Sequence, residues 1–208
     1  LSCPPMMKIE SIQVGVPRTW GRPGAEDPFE APWTSAIAKE PVEGRVWASE
    51  TGLTGDRVAD TREHGGPHRA LLMYSAEHYP RWRAEWGRKD VGPGGFGENL
   101  TVTGLVEATV CLGDVFEAGE VVMEVSSPRG PCSNLFRRHG IRDLVKTVRE
   151  NHRHGWYLRI LKEGWLEAGL PLRLADRPYP QWSIVRGAEV QWTATKVPDE
   201  ERLVAACP

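Results

Sequence analysis

The chain has 208 residues, of which 40% are hydrophobic and 26% are charged, and this composition supports a folded core. Its 26 basic and 28 acidic side chains give a formal net charge of −2, which argues against attraction to nucleic acid or to an anionic membrane. No apolar run approaches the ~20 residues that a membrane-spanning helix needs. Arginine outnumbers lysine by 20 to 6. Genome composition explains such a bias, and anion recognition is the alternative, because guanidinium groups match phosphate geometry.

The cysteines and the first residues indicate a reducing compartment. The four cysteines are Cys3, Cys111, Cys132 and Cys207, and none belongs to a C-x-x-C pair. This spacing argues against a zinc ribbon and against a dense disulfide framework. Residues 1–5 lack the charged and apolar regions of a signal peptide, so we expect a cytoplasmic protein.

The first third of the chain predicts two strands within irregular segments. Residues 8–16 and 42–49 alternate apolar and polar side chains as half-buried strands do. Residues 17–40 between them are rich in proline, glycine and tryptophan, which predicts a long irregular loop. Residues 50–69 carry glycines and charges without a period and predict a second loop, where functional groups usually lie.

The middle of the chain predicts further strands and two helices. Strands are expected at residues 70–74, 99–103, 109–116 and 120–126, with the last two joined as a hairpin. Ser75 is expected to cap a helix that ends near Trp86. A second helical pattern covers residues 135–148, and residues 156–161 fit either a strand or a helix.

The last segments complete a mainly β pattern. Residues 165–174 predict a short hairpin or strand, residues 176–182 a linker with two prolines, and residues 183–207 helical pieces. Six to eight short strands with few helices are typical of a mainly β fold with helical excursions (α+β), either a barrel or a sandwich.

One segment presents a cysteine among positive charges. Residues 126–134 (SSPRGPCSN) follow a hydrophobic strand and place Arg129 and Cys132 on an irregular turn. A buried structural cysteine is the plainer interpretation. However, residues 129–159 hold eight basic and two acidic side chains, a local balance of +6. Positive surroundings lower a thiol pKa and favour the thiolate, a nucleophile and a soft metal ligand. A solvated basic helix face is the alternative explanation of these charges.

Two glycine-rich segments are further candidates. Residues 52–70 combine tight turns, which can aim N–H groups at an anion, with the side chains of Arg57, His64 and Arg69. An ordinary loop with an ion-paired arginine is the alternative. Asn99 ends the segment GGFGENL, where it either hydrogen-bonds a heterocycle or caps a turn, and the residues alone favour the turn.

Taken in order, the segments GLTGD, HGGPHRAL, GFGENL, PRGPC and GWYLRIL resemble the MOSC domain family, named for the C-terminal domain of molybdenum cofactor sulfurase. The subgroup they resemble is bacterial and stand-alone, and includes the 6-hydroxylaminopurine reductase. The resemblance implies a MOSC-type β-barrel domain over residues 6–175 and a small helical C-terminal segment over residues 176–208.

The resemblance also implies a pyranopterin molybdenum cofactor. The family's cysteine falls on Cys132, whose thiolate would ligate molybdenum and take part in catalysis. The other implied cofactor contacts are Arg57, His64, Arg69, Asn99 and Arg129, with Arg159 as a further one.

Two departures from the family pattern affect the basic residues. Relatives carry a lysine near the position of Val16 or Pro17, where the nearest cation in this chain is Arg18. Relatives also often have a lysine where this chain has Asn134.

The implied activity is reduction of a small-molecule N-hydroxylated substrate, such as a hydroxylaminopurine, by a cytoplasmic molybdenum-dependent oxidoreductase. His64 is a candidate proton donor. Electrons would come from a separate electron-donor reductase, and two chains could form a homodimer, with no nucleic-acid or membrane partner. The alternatives are a cofactor carrier or sulfur-transfer module without turnover, and a plain β-barrel that binds anions with an inert cysteine. Trp156 is expected either in the core or stacked on a pterin or purine.

Overall fold

The computed structural model describes residues 6–61 and 64–193. Thirteen strands are defined in this part of the chain. In chain order they are β1 (Lys8–Val14), β2 (Arg18–Trp20), β3 (Trp33–Ser35), β4 (Glu40–Pro41), β5 (Val46–Ser49), β6 (Gly52–Leu53), β7 (Leu71–Ser75), β8 (Leu100–Thr103), β9 (Val115–Ala118), β10 (Val121–Pro128), β11 (Trp156–Lys162), β12 (Gly164–Leu166) and β13 (Arg173–Asp176).

Eight strands form one sheet in the order β13-β9-β10-β11-β7-β8-β1-β4. Its neighbours pair antiparallel except β7 and β8, which are parallel. The sheet curls because the chain segment before β13 also bonds to β1: Leu172 donates to the carbonyl of Met7, and Gly169 to that of Ile9. This segment links the β1 side of the sheet to β9. The mainly β fold predicted from the sequence is confirmed, as a curled half-barrel sheet with helices.

Two small sheets flank the large one. Strands β12, β5 and β6 form a three-stranded sheet, and β2 and β3 form a two-stranded hairpin. That hairpin lies inside residues 17–40, which the composition predicts as an irregular loop. It forms because Trp20 and Trp33 are cross-strand partners whose rings stack with centroids 4.8 Å apart.

Four helices are defined in the described ranges: α1 (His78–Trp86), α2 (Ser133–His139), α3 (Leu144–Asn151) and α4 (Ile184–Trp192). Helix α1 begins later than predicted, since Ser75 closes strand β7, and Pro80 fits into its first turn. The single helical pattern over residues 135–148 is two helices, because Gly140 adopts a left-handed conformation with φ of 71° and ends α2.

Several other segments differ from their patterns. Residues 156–161, which fit strand or helix, belong to β11. The segment 109–116 is mostly a turn, in which the buried carboxylate of Asp114 accepts from the backbone N–H of Cys111 at 2.8 Å. Its apolar run reflects burial rather than a strand. Strands β12 and β13 replace the hairpin suggested for residues 165–174 and pair with other strands.

The C-terminal part packs into the same core as the barrel. Trp182, Ile184 and Val190 belong to the main hydrophobic cluster, and Gly187 of α4 lies against Leu112 and Pro128. The helical pieces predicted beyond residue 193 lie outside the described residues, and the domain boundary at residue 175 stays a prediction. In the described ranges, no helix has both the length and the apolar character needed to cross a bilayer.

Candidate functional site

A pocket of about 320 Å³ opens where the ends of several strands and loops converge. Its wall combines the segment after β3, the loop after β6, the 3-10 turn Pro67–Arg69, the loop before β8 and the turn after β10. The titratable and amide side chains of the wall are Lys39, Asp56, Arg57, Asp60, His64, Arg69, Asn99, Arg129, Cys132, Asn134 and Tyr157.

The turn after β10 presents the cysteine. Cys132 is the residue that precedes α2, with extended backbone angles, and its side chain is half-buried. The backbone N–H of Asn134, in the first turn of α2, points to the sulfur. Thiolates are favoured at such positions because the N–H groups at the start of a helix carry partial positive charge.

The surroundings make Cys132 acidic. Burial by itself raises the pKa of the Cys132 thiol. A hydrogen bond from His64, the charge of Arg129 and the backbone N–H of Asn134 outweigh this effect and lower the pKa to about 7. A substantial fraction of the thiol is therefore ionised at neutral pH. By contrast, burial raises the pKa of Cys111, which lies outside the pocket and points its thiol to the carbonyl of Pro180.

Arginine Arg129 lies deep in the wall with 4% of its surface exposed. Its backbone N–H donates to Gly155 at 3.1 Å and its Nη2 to the carbonyl of Phe96 at 3.3 Å. Its Nη1 is buried and has no hydrogen-bond partner among the described residues. Because an unmet buried cationic donor is costly, this atom marks a place where an anionic ligand would be stabilised.

A second arginine and a tyrosine complete this side of the pocket. The guanidinium of Arg69 lies 5.6 Å from the ring centroid of Tyr157, within cation–π distance. Burial raises the pKa of the Tyr157 phenol, and Arg129 and Arg69 oppose that shift. The phenol therefore stays protonated at neutral pH and is a hydrogen-bond donor.

The opposite side is built around Asp56. Its Oδ1 accepts from the backbone N–H of Gly15 at 2.7 Å and from the ammonium of Lys39, and its Oδ2 accepts from the Asn99 amide at 2.8 Å. The side chains of Lys39 and Asp56 are only 6% and 8% exposed. Burial lowers the pKa of Lys39, and the Asp56 carboxylate partly offsets this.

Asn99 holds strands together rather than capping a simple turn. Its Oδ1 accepts from the backbone N–H of Leu72, and its Nδ2 donates to the carbonyl of Gln13 as well as to Asp56. Both amide hydrogens are thus directed to protein groups. Asn99 therefore positions Asp56 and the ends of β1 and β7 around the pocket.

Glu98 stabilises the loop before β8. Its side chain is fully buried and accepts from the backbone N–H groups of Gly94 and Phe96 at 2.7 and 3.0 Å, and from the hydroxyl of Thr101 at 2.8 Å. The hydroxyl of Tyr79 also donates to it. One carboxylate thus satisfies four donors and fixes the loop that carries Phe96 and Gly97 into the pocket wall.

A buried polar cluster surrounds Gly155, whose carbonyl accepts from the backbone N–H of Arg129. Glu107 accepts from His78 at 2.7 Å and from the backbone N–H of Gly155 at 2.8 Å. His154 is fully buried, and its Nδ1 contacts the carbonyl of Gly155 at 2.7 Å. Burial lowers the pKa of His154 to about 4, although Glu107 opposes this.

The structure brings together all six residues predicted to contact a cofactor, which are Arg57, His64, Arg69, Asn99, Arg129 and Cys132. Two other expectations differ. Arg159 lies outside the pocket and forms an ion pair with Glu124 at 2.7 Å. Trp156 is fully buried in the main hydrophobic cluster, so of its two expected locations the core is the observed one.

Sequence reasoning missed Lys39, Asp56 and Tyr157. Lys39, which follows the β2–β3 hairpin in the chain, lines the pocket and donates to Asp56, the carboxylate that also accepts from the backbone N–H of Gly15. A lysine in a chain with only 6 lysines was an available signal. Asn134 also lines the pocket, at the position where the family resemblance implies a lysine.

Comparisons with known proteins agree with this fold. The family model described as the MOSC domain matches residues 60–173. The protein YflK of Bacillus subtilis is 38% identical over 169 residues, covering 81% of this chain and 73% of YflK. A protein named Reductase from Gibberella moniliformis is 43% identical over 158 residues, which are 73% of this chain and 28% of that longer protein.

A solved structure extends the agreement to three dimensions. The crystal structure of YiiM from Geobacillus stearothermophilus superimposes with a TM-score of 0.76 at 34% identity, covering 97% of this chain and 92% of that one. The family match spans more than half of the chain and contains Cys132 and Arg129. The chain therefore belongs to the MOSC domain family.

Proposed function

We propose that the protein is a molybdenum-cofactor-dependent reductase of N-hydroxylated compounds, hydroxylaminopurines among them. The observation that carries the proposal is the pairing of an acidified thiol at Cys132 with the buried, unmet Nη1 of Arg129 in one pocket. A thiolate is a soft ligand that suits such a metal, and the arginine suits the anionic phosphate of a pterin cofactor. MOSC domains are associated with this cofactor.

The residues present fit such a group. Arg129, Arg69 and Arg57 provide cationic donors, and Lys39 provides a buried ammonium across the pocket. In this proposal the Cys132 thiolate would hold the metal, and His64 would keep the sulfur ionised and oriented through its hydrogen bond. When bound, the cofactor would supply the two-electron chemistry, while the protein supplies binding, orientation and electrostatics.

The overall reaction consumes two electrons and two protons: an N-hydroxylated amine gives the amine and water. The N–O bond breaks, the nitrogen is reduced, and the oxygen leaves with the added protons. His64 is the proposed proton donor because it lies beside Cys132, and the protonated phenol of Tyr157 is a further donor in the same wall.

The electrons are proposed to come from a separate electron-donor reductase. The relative from Gibberella moniliformis bears the name Reductase, and 28% of its length matches this chain. Its name supports a reductive reaction, and its remaining length has no counterpart in the match. We place the reaction in the cytoplasm, where the Cys132 thiol would stay reduced. The homodimer stays a prediction.

The test combines metal content with turnover. The protein is produced in a host that makes molybdopterin and in one that cannot, and bound molybdenum is measured. Reduction of 6-hydroxylaminopurine is then assayed with an artificial electron donor. We expect molybdenum and activity from the first host, and the loss of both in Cys132→Ala.

Cys111→Ala is the matched control, because Cys111 is buried outside the pocket. This substitution should leave the molybdenum content and the turnover unchanged. Protein without molybdenum from either host would refute the proposal. Molybdenum without turnover would instead favour a cofactor carrier. Activity that survives Cys132→Ala would refute the ligand assignment.

A further inference from the structure

Arg129 is tied to Gly155 at the end of a strand pair. The antiparallel pairing of β10 and β11 ends at Pro128 and Trp156, and a proline has no N–H with which to extend it. The bond that continues the pairing runs from the backbone N–H of Arg129 to the carbonyl of Gly155, at 3.1 Å. The position of Arg129 in the pocket wall therefore depends on the position of Gly155.

Gly155 occupies a place that suits only glycine. Its φ of 77° lies in the left-handed region, and a Cβ would lie 2.5 Å from the carbonyl oxygen of Met73 in β7. The ring Nδ1 of His154 lies 2.7 Å from the Gly155 carbonyl oxygen. Because Gly155 is bonded to Arg129 and packed closely against β7, a shift of Gly155 would move Arg129 relative to the pocket.

Glu107 holds the backbone N–H of Gly155. Its Oε1 accepts from that N–H at 2.8 Å, and its Oε2 lies 2.7 Å from Nε2 of His78. Glu107 is 2% exposed and lies in the turn segment between β8 and β9. Its backbone carbonyl accepts from Val185, in the first turn of α4, at 3.2 Å. Glu107 thus connects Gly155 to two helices, α1 and α4.

The hydrogen bonds of Glu107 are strong because its carboxylate is ionised. Burial raises the pKa of Glu107, but the hydrogen bond and charge of His78 and the N–H of Gly155 outweigh this effect, so the pKa lies below its ordinary value. An ionised acceptor binds an N–H roughly twice as strongly as a neutral one, and buried surroundings strengthen the bond further. Glu107 therefore fixes Gly155 firmly.

We propose that Glu107 is a positioning residue for Arg129: through Gly155 it holds the guanidinium at the place in the pocket wall where an anionic ligand meets it. Glu107 itself lies outside the pocket lining. The inference rests on the proposed function only in taking the ligand of Arg129 to be an anion. It gives a residue outside the pocket control over how firmly the pocket binds that anion.

Two conservative variants separate the position of the carboxylate from its charge. Glu107→Asp keeps the charge but shortens the side chain by one methylene group and withdraws it from Gly155. Glu107→Gln loses the charge, but its amide oxygen can still accept from Gly155 and its NH₂ group can donate to a neutral His78 ring. Asp114→Ala is the matched control, because Asp114 is also a buried carboxylate that accepts a backbone N–H at 2.8 Å, from Cys111 outside the pocket.

The first measurement is protection of Cys132 by inorganic phosphate. Cofactor-free protein is alkylated with iodoacetamide at increasing phosphate concentrations, and modification of Cys132 is followed by peptide mass spectrometry. Phosphate held by Arg129 should slow the reaction, because both side chains line one pocket. Half-protection of Glu107→Asp should need about fivefold more phosphate than the wild type, and that of Arg129→Ala about tenfold more or beyond. Glu107→Gln should stay within about twofold of the wild type, and so should Asp114→Ala.

The second measurement is the pH midpoint of the same alkylation without phosphate. The midpoint reports where the Arg129 charge lies, because that charge helps to lower the pKa of the Cys132 thiol to about 7. A displaced guanidinium should raise the midpoint in Glu107→Asp and slow the reaction at pH 7 by about twofold. Loss of a negative charge acts in the opposite direction, so Glu107→Gln should leave the midpoint unchanged or lower it.

Three outcomes overturn the inference. Wild-type behaviour of Glu107→Asp in both measurements would show that Glu107 does not position Arg129. Impairment of Glu107→Gln but not of Glu107→Asp would show that the charge acts, not the position. Equal changes in Asp114→Ala would show a general loosening of the fold. If phosphate fails to protect even the wild type, the anion site of the proposed function is refuted, and the midpoints alone decide the role of Glu107.

Discussion

At the scale of single residues, the ionisation of Cys132 depends on its neighbours His64 and Arg129. Burial disfavours the Cys132 thiolate, whereas His64 and Arg129 favour it. The same Arg129 keeps one donor unmet. The site thus favours a thiolate beside a cation, which suits the kind of ligand that we propose, one with both a soft metal and an anionic group.

The first prediction concerns this thiol. His64→Ala removes the hydrogen bond and the charge that lower its pKa, so the pKa should rise from about 7 toward the ordinary thiol value. The rate of alkylation by iodoacetamide at pH 7 should then fall, by up to about tenfold for each unit of pKa. The measurement is the pH dependence of Cys132 modification in cofactor-free protein.

His68→Ala serves as the comparison, because His68 is an exposed histidine of the same segment that lies outside the pocket lining. It should leave the midpoint unchanged. A midpoint that stays near 7 in His64→Ala would show that Arg129 and the helix N-terminus suffice.

At the scale of elements, the loop before β8 shows how a buried charge can organise a pocket wall. Glu98 receives four donors from Gly94, Phe96, Tyr79 and Thr101. Glu98→Gln replaces one carboxylate oxygen by an NH₂ group that faces donors, which leaves donors unpaired. We expect the free energy of unfolding to fall by about 1–3 kcal/mol. Urea denaturation measures this.

Glu10→Gln is the corresponding surface change, since Glu10 is 44% exposed and its ion pair with Lys8 is weak. It should leave the midpoint of the urea transition nearly unchanged. If both variants unfold alike, the carboxylate of Glu98 contributes no more than an amide would.

The sequence predicts these elements unevenly, for physical reasons. Strands such as β1 and β10 carry a local alternation, and Cys132 and Arg129 lie on a turn fixed by prolines, so both can be read from neighbouring residues. The Lys39–Asp56–Asn99 group depends on contacts across 17 and 43 positions, which no local pattern encodes. The β2–β3 hairpin is not predicted for the same reason, since its pairing rests on two tryptophans separated by a loop.

At the scale of the whole molecule, buried histidines connect the fold to pH. His154 precedes Gly155, whose carbonyl accepts from the backbone N–H of Arg129, and its Nε2 is buried without a hydrogen-bond partner among the described residues. Burial holds its pKa at about 4, well below the ordinary value of 6.5. The neutral form is therefore the one that the fold accommodates.

The pH dependence of stability follows from the sign of this shift. Between pH 6.5 and 4 the unfolded chain binds a proton at His154 that the folded chain does not, so acid favours unfolding. The contribution of His154 to the free energy of unfolding is complete above pH 6.5 and is lost as the pH falls toward 4. The total loss from this group is about 3 kcal/mol. Around pH 5 the slope amounts to about 1 kcal/mol per pH unit for this one group.

Replacing the titrating group should remove that slope. In His154→Gln, the free energy of unfolding at pH 7 should fall somewhat, because a well-packed imidazole is lost. Between pH 6.5 and 4.5 the free energy of unfolding should fall less steeply than in the wild type, by the contribution of about one bound proton. Urea denaturation across this range gives both quantities.

His68→Gln, a change at an exposed histidine, should retain the wild-type slope. Parallel curves for the wild type and His154→Gln would mean that His154 titrates normally, with acid sensitivity arising from other groups such as His139, whose pKa burial also lowers to about 4.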